Sequence, residues 1–239
     1  MKWLRRKPTI ITAVSLAVVL AAAATLWNVS SSRTFQFFGE LVDRVETNEK
    51  VVALTFDDGP DPAGAQQVLD TLNEEQIKAT FFLMGRDLAS HPELGRKIAE
   101  AGHEIGNHTY NHKRMVGVLP STVAKEIEDT DARIKATGYS GEIHFRPPNG
   151  KKLFALPHYL SEHHRKTIMW DVEPDSEGTP PAQQIEQDVL SQTKPGSIIL
   201  LHPMYASRDQ TRQALKPIIH KLKERGFRFV TVSALLNQA

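Results

Sequence analysis

The 239-residue chain contains no cysteine, which excludes disulfide staples, thiolate zinc centres, a cysteine nucleophile and a lipidated cysteine anchor. Stability must come from an ordinary packed core. A surplus of one charge is missing as well: 29 Lys+Arg face 28 Asp+Glu, so the positive field that nucleic-acid binding draws on is absent and no DNA or RNA partner is expected. Aromatic residues are few, at 7%, yet 40% of the chain is hydrophobic and 24% charged, which is too apolar for a disordered polypeptide. Internal repeats and low-complexity tracts are not found, and a monomer is expected.

A long uncharged run occurs only at the N-terminus. After the basic cluster Lys2, Arg5, Arg6 and Lys7, residues 9–27 carry no charge. A positive segment followed by an apolar stretch long enough to span about 30 Å of hydrocarbon marks an export signal, with the basic end remaining inside. Residues 1–29 are therefore expected to be a signal anchor that holds the protein in the membrane facing outward. The small residues Ala21–Ala24 leave open a cleaved signal peptide and a secreted product. Removing the four basic residues leaves the exported part mildly acidic.

Beyond a polar joint at Ser30, Ser31 and Ser32, residues 30–49 are expected to form a connector with N-terminal strands, and residues 50–239 one domain. Apolar, β-branched and aromatic runs predict strands at 51–56, 79–84, 104–106, 143–145, 167–170, 197–201 and 227–232. Helical periodicity lies between them at 63–75, 87–101, 121–137, 153–165, 182–193 and 208–225. Such alternation predicts an α/β fold with a mostly parallel sheet, closed or nearly closed into a (β/α) barrel, the alternative being an open doubly wound sheet. In either, chemistry belongs at the C-terminal ends of the strands.

The polar residues at those ends are informative. Asp57 and Asp58 follow the first predicted strand and precede the turn Gly59-Pro60. Paired carboxylates there suit a metal, a proton transfer or a phosphoaspartate pocket, whereas an Asx-turn would use one Asp and seldom need two. His108 and His112 follow the third strand, and on a helical turn residues four apart share a face, so both imidazoles could reach one divalent ion. Two His and one Asp leave coordination positions open, as catalytic rather than structural metals require. His202 follows the sixth strand, where it is either a capping residue or, if it shares a cleft with Asp57 and Asp58, the acid to their base; that combination hydrolyses acyl bonds. His91, before Pro92, reads as a turn residue, and His163 and His164 as solvated helix residues.

Four ordered motifs, Thr55-Phe-Asp-Asp-Gly-Pro60, His108-Thr-x-x-His112, Arg146-Pro-Pro-x-Gly150 and Leu200-x-His202, resemble those of the polysaccharide deacetylases with a NodB-homology domain, the carbohydrate esterase family 4 type, over about residues 50–235. The resemblance implies a distorted (β/α) barrel of the NodB-homology type. It also implies metal-dependent removal of N-acetyl groups from amino sugars of peptidoglycan-like or chitin-like polysaccharides, some relatives cleaving O-acetyl esters instead. By that resemblance Asp57 is the general base, Asp58, His108 and His112 hold the metal, His202 is the general acid, Arg146 orients Asp57, and Leu200 walls the acetyl pocket. Zinc is the expected ion, and cobalt, nickel or manganese would also suit the donors. Two motifs depart from the family pattern. Asn149 replaces the usual aromatic residue, its backbone N–H being the group the family directs at the oxyanion. The Asp-rich segment reads Trp170-Asp-Val-Glu173-Pro-Asp175-Ser-Glu177 with no following Trp. Asp175, or alternatively Glu173, is the acid expected to partner Arg146 and His202. The rival from another class is a catalytically silent glycan-binding protein.

Overall fold

The computed structural model describes residues 6–176 and 178–238; Lys2 and Arg5 of the basic cluster and Glu177 lie outside them. The chain opens with α1 (Arg6–Ser30), Ala-rich and free of interior breakers, since Pro8 falls in the first turn where no intrahelical N–H is needed. Residues 12–25 of α1 are exposed. By length and composition Thr12–Ser30, with a mean hydropathy of 1.8, can cross a membrane.

Then follow β1 (Leu41–Val42), β2 (Val51–Asp57), α2 (Ala65–Glu74), β3 (Thr80–Leu83), α3 (Gly85–Ser90), α4 (Pro92–Glu100), β4 (Glu104–Asn107) and α5 (Pro120–Ala136). The second half contributes α6 (Ala155–Glu162), β5 (Thr167–Ile168), α7 (Ala182–Gln192), β6 (Ile198–Leu201), α8 (Asp209–Glu224), β7 (Arg228–Val230) and α9 (Val232–Leu236). All strand pairs are parallel. β2 is central: Thr55 lies opposite Thr80 of β3, Ala53 opposite Ile198 of β6, and Val51 opposite Arg228 of β7. β3 continues to β4, and β1 pairs with β5. Single bridges join Asn107 to Phe145, Phe145 to Thr167, and Val172 to Ile199.

Every residue of β2 is buried, as expected of a parallel strand covered on both faces. Because strand side chains alternate, Val52, Leu54 and Phe56 enter the larger core, where α2 contributes Val68 and Leu72 and α8 contributes Leu215 and Ile218. The alternate set begins apolar with Val51 and Ala53, which join a second cluster with Phe82, Ile198 and Leu200, and becomes polar at Thr55 and Asp57. The same parity carries Glu104, Gly106 and then His108 along β4, and Ile198, Leu200 and then His202 along β6. One inner face thus collects the polar residues at the strand ends. Gly106 is required there, since a Cβ would stand 2.5 Å from the Phe82 ring.

At the opposite end the inner face is closed by a buried polar cluster. Thr80 Oγ1 donates to Glu104 at 2.8 Å and accepts from the Val232 N–H at 2.9 Å, while Ser233 bonds both Glu104 and His144. The helix α9 that supplies Val232 and Ser233 was not expected from the sequence. Two further elements differ. The periodic stretch 87–101 is two helices, because Pro92 starts α4 and the preceding His91, at φ −133° and ψ 60°, leaves the helical region. The expected strand 143–145 is reduced to the bridges of Phe145.

Candidate active site

Asp57 closes β2 at 2% exposure, and its partner is Arg146, which is fully buried. Arg146 Nη1 donates to Asp57 Oδ1 at 2.7 Å and to Thr55 Oγ1 at 2.8 Å. Its Nε reaches Ile168 O at 3.2 Å and its Nη2 reaches Met169 O at 3.1 Å, and the guanidinium lies 4.0 Å from the Phe82 ring centroid. The fork is thereby fixed on all sides, which a lysine could not reproduce. Burial alone would raise the Asp57 carboxyl, but the charge of Arg146, joined by that of His202 and by the Arg146 hydrogen bond, outweighs it and holds the group below the usual carboxylate range. Asp57 is ionised at neutral pH.

Asp58 follows at φ +75°, which turns its carboxylate towards the histidines. Its Oδ1 is 3.4 Å from His112 Nε2 and 4.0 Å from His108 Nε2. One donor atom from each of Asp58, His108 and His112 lies within 4.8 Å of the others. His108 Nδ1–H donates to the Arg146 carbonyl at 2.8 Å, which fixes the tautomer and leaves Nε2 as a lone pair facing the cluster. Burial holds His112 below the usual imidazole pKa, in the neutral form a ligand must have. The donor set therefore fits one divalent ion.

The two histidines are not on a helical turn. Residues 108–112 form a loop in which Thr109 (φ +65°) and His112 (φ +56°) adopt left-handed conformations, and these bring the rings to 5.0 Å. Three residues that sequence reasoning passed over hold this loop. Asn107 Oδ1 accepts from the Thr109 N–H at 2.8 Å, its amide donates to Asp131 at 2.7 Å, and Glu126 accepts from both the backbone and side chain of Asn111. An Asn at a strand end, with its known tendency to bond the backbone two residues on, was the available signal.

His202 stands beyond β6. Its Nδ1 donates to Asp175 Oδ1 at 2.9 Å and its backbone N–H to Asp175 Oδ2 at 2.8 Å, while Thr211 Oγ1 donates to the same oxygen at 2.9 Å. Burial alone would lower the imidazole, but the bond to Asp175 and the charges of Asp175, Asp57 and Asp58 push its pKa up to about 9. Burial alone would raise Asp175, and the bond and charge of His202 hold it low instead. Asp175 touches His202 and not Arg146, whose acidic partner is Asp57. Glu173 lines the same cleft as His202 but bonds neither: it accepts from Trp170 Nε1 at 2.7 Å and approaches Arg33 at 3.8 Å.

Asp57, Asp58, His108, His112 and His202 share one cleft of about 810 Å³, which Asn149, Leu200 and Trp170 also line. Asn149, at φ +54°, accepts from Arg114 Nε at its side-chain oxygen at 2.8 Å, and no described residue accepts a hydrogen bond from its backbone N–H. Ser31 and Arg33, from the joint after α1, form part of the rim, as do Gln184 and Asp188 of α7. No local pattern marks the joint's role, because the rule of inspecting strand ends passes over it. Trp170 ends a predicted strand and was findable by that rule.

An ionised carboxylate, a protonated imidazole and three donors that could hold a metal ion, all in one cleft, have the composition that metal-assisted acyl hydrolysis requires. Residues 44–167 match the polysaccharide deacetylase family. The chain is 37% identical to the peptidoglycan-N-acetylglucosamine deacetylase of Bacillus cereus, over 83% of this chain and 93% of that one. It is 32% identical to a chitooligosaccharide deacetylase of Rhizobium leguminosarum bv. trifolii, over 77% and 91%. Among solved structures, a peptidoglycan N-acetylglucosamine deacetylase bound to 4-naphthalen-1-yl-N-oxidanyl-benzamide superposes with a TM-score of 0.78 at 33% identity, covering 82% of this chain and 92% of that one. This chain belongs to the polysaccharide deacetylase family.

Proposed function

We propose that this enzyme removes N-acetyl groups from amino sugars of a peptidoglycan-like or chitin-like polysaccharide outside the cell membrane, with a divalent ion held by Asp58, His108 and His112. Zinc is the ion that best suits two imidazoles and one carboxylate, and cobalt, nickel and manganese are compatible with the same donors. When bound, such an ion supplies Lewis acidity, polarising a carbonyl and lowering the pKa of water. Asp57, kept ionised by Arg146, takes the proton of the attacking water. The Asn149 N–H donates to the oxyanion, and Leu200 packs against the acetyl methyl. His202, protonated and oriented by Asp175, gives its proton to the leaving amine. The observation that carries this reading is the pairing of opposite perturbations in one cleft, a carboxylate held below its ordinary pKa and an imidazole pushed to about 9.

The same reading takes residues 50–239 as the deacetylase domain and the sheet as a distorted (β/α) barrel, supported by the bridges through Phe145 and between Val172 and Ile199. It takes α1 as a retained signal anchor and the protein as a monomer. Acetate release from peptidoglycan, chitin oligomers and acetylated xylan, measured with and without chelator, tests the function. Chelator-sensitive release from the first two is expected. Release from xylan alone would make the enzyme an O-acetyl esterase, and no release from any substrate would leave a silent glycan binder.

A further inference from the structure

A group of aromatic side chains next to the end of α1 takes no part in the cleft. Phe35, Phe37, Phe38 and Phe154 are 49%, 39%, 41% and 47% exposed, and Leu119, which precedes Pro120 in the chain, is 70% exposed. They are contiguous: Phe35 packs edge-on to Phe37 at 5.5 Å, Phe37 lies 4.7 Å from Phe154, and Phe38 meets His158 at 5.3 Å. Between Phe38, Pro120, Phe154 and Tyr159 runs an open apolar groove of about 380 Å³. Contiguous exposed apolar surface of this kind marks a contact with a partner or a membrane.

The position of α1 selects the partner. Its final residue, Ser30, is fully buried, and its carbonyl accepts from the Lys152 N–H at 2.9 Å. The buried Lys152 ammonium bonds Ser32 O, and the Lys151 ammonium lies 4.2 Å from the Trp27 ring centroid. The helix is therefore clamped to the domain rather than joined by a loose tether. A turn in which Ser32 Oγ accepts from the N–H groups of Thr34 and Phe35 follows at once. Phe35 lies five positions beyond Ser30, so the patch begins within about 18 Å of the helix end even for an extended chain.

We propose that this aromatic patch is a membrane-contact surface, occupied by the interfacial region of the same bilayer that α1 enters. The inference rests on the anchor reading of α1. Phenylalanine and leucine on one face beside a spanning helix are the chemistry of a segment seated at the boundary of headgroups and acyl chains. Because Ser31 and Arg33 line the catalytic cleft, seating the patch holds that cleft beside the lipid surface, where glycan closest to the membrane is within reach.

The absence of cysteine permits single-site labelling of the full-length protein. Phe37→Cys, Phe154→Cys, Leu20→Cys in α1 and Gln67→Cys on the exposed face of α2 would each carry an environment-sensitive fluorophore. The proteins are reconstituted in phosphatidylcholine–phosphatidylglycerol vesicles with and without doxyl-labelled lipid. Labels at 20, 37 and 154 should lose about half their emission to the doxyl lipid, as expected of groups lying roughly 5–10 Å into the boundary or deeper, while the label at 67 keeps its emission. Quenching at 20 with 37 and 154 behaving like 67 would overturn the patch and leave the anchor standing. No quenching at 20 would remove the anchor, and the patch with it. Efficient bis-maleimide cross-linking of Phe37→Cys between copies, unchanged by dilution in lipid, would assign the patch to a second copy and overturn the proposal.

Discussion

Replacing Asp175 by Asn preserves side-chain size and removes the charge that faces His202. Without that carboxylate the imidazole has lost its principal partner, and burial pulls it towards or below the ordinary value of about 6.5. At pH 7.5 a group with a pKa of about 9 is about 97% protonated, and one at about 6.5 only about 9%. The rate of amide hydrolysis should therefore fall at least about tenfold at pH 7.5. At pH 6 a group at about 6.5 is still about 76% protonated, so the deficit shrinks several-fold from its size at pH 7.5. Stability follows the same titration. A histidine whose pKa is raised by folding contributes stability that is complete below about pH 6.5 and is lost as pH rises through about 9. The melting temperature of the parent should thus decline across that interval more than that of the variant. The assay is kcat/KM against pH on a chitin oligomer, with thermal melts at the same pH values. A deficit of equal size at pH 6 and pH 8 in a folded, metal-loaded variant would refute the idea that Asp175 acts by keeping His202 protonated.

Four further outcomes are expected. His108→Ala and His112→Ala should each lose at least about tenfold in metal affinity, while chelation of the parent leaves the far-UV spectrum intact because the larger apolar core lies on the opposite face of β2 from the site; parental metal content in both variants would rule out the ligand assignment. Asn149→Gly keeps the N–H and suits φ +54°, so kcat should stay within a few-fold, and a loss of about 10² to 10³ would show that the side chain is the oxyanion donor. Arg146→Lys should destabilise the protein by about 3 to 5 kcal/mol, since Asp57 would be left buried without its fork; an unchanged melting temperature would contradict this. Membrane fractions washed in high salt should retain the full-length chain, and recovery of only a soluble form beginning near residue 25 would establish a cleaved signal peptide.

Much of the site was legible because parallel strands put their chemistry at one end. Asp57, Asp58, His108 and His202 all follow apolar runs, and a single rule found them. The manner in which His108 and His112 meet was not legible. Four-residue spacing suggests a helical turn, whereas the left-handed Thr109 and His112 and the clamps from Asn107 and Glu126 depend on tertiary partners that local pattern does not encode. The partner of His202 was left between Asp175 and Glu173 for the same reason, and only the fold shows that Glu173 turns to Trp170 and Arg33. Pattern also merged α3 with α4, although Pro92 was present to divide them. The contribution of Ser31 and Arg33 to the cleft had no local signal at all, since it arises from the docking of Ser30 against Lys152.

The alternation along β2 has a genetic consequence. Val52, Leu54 and Phe56 belong to the helix-covered core, while Thr55 and Asp57 belong to the site. Insertion or deletion of one residue inside the strand exchanges the two faces, presenting Phe56 to the cleft and Asp57 to the hydrocarbon core. Such a lesion damages folding and chemistry together, and no single compensating substitution can restore either. Val51 or Ala53 can still be exchanged for a residue of similar volume at modest cost. Across variants of this protein, substitutions should therefore be found within β2 and length changes only in its flanking segments.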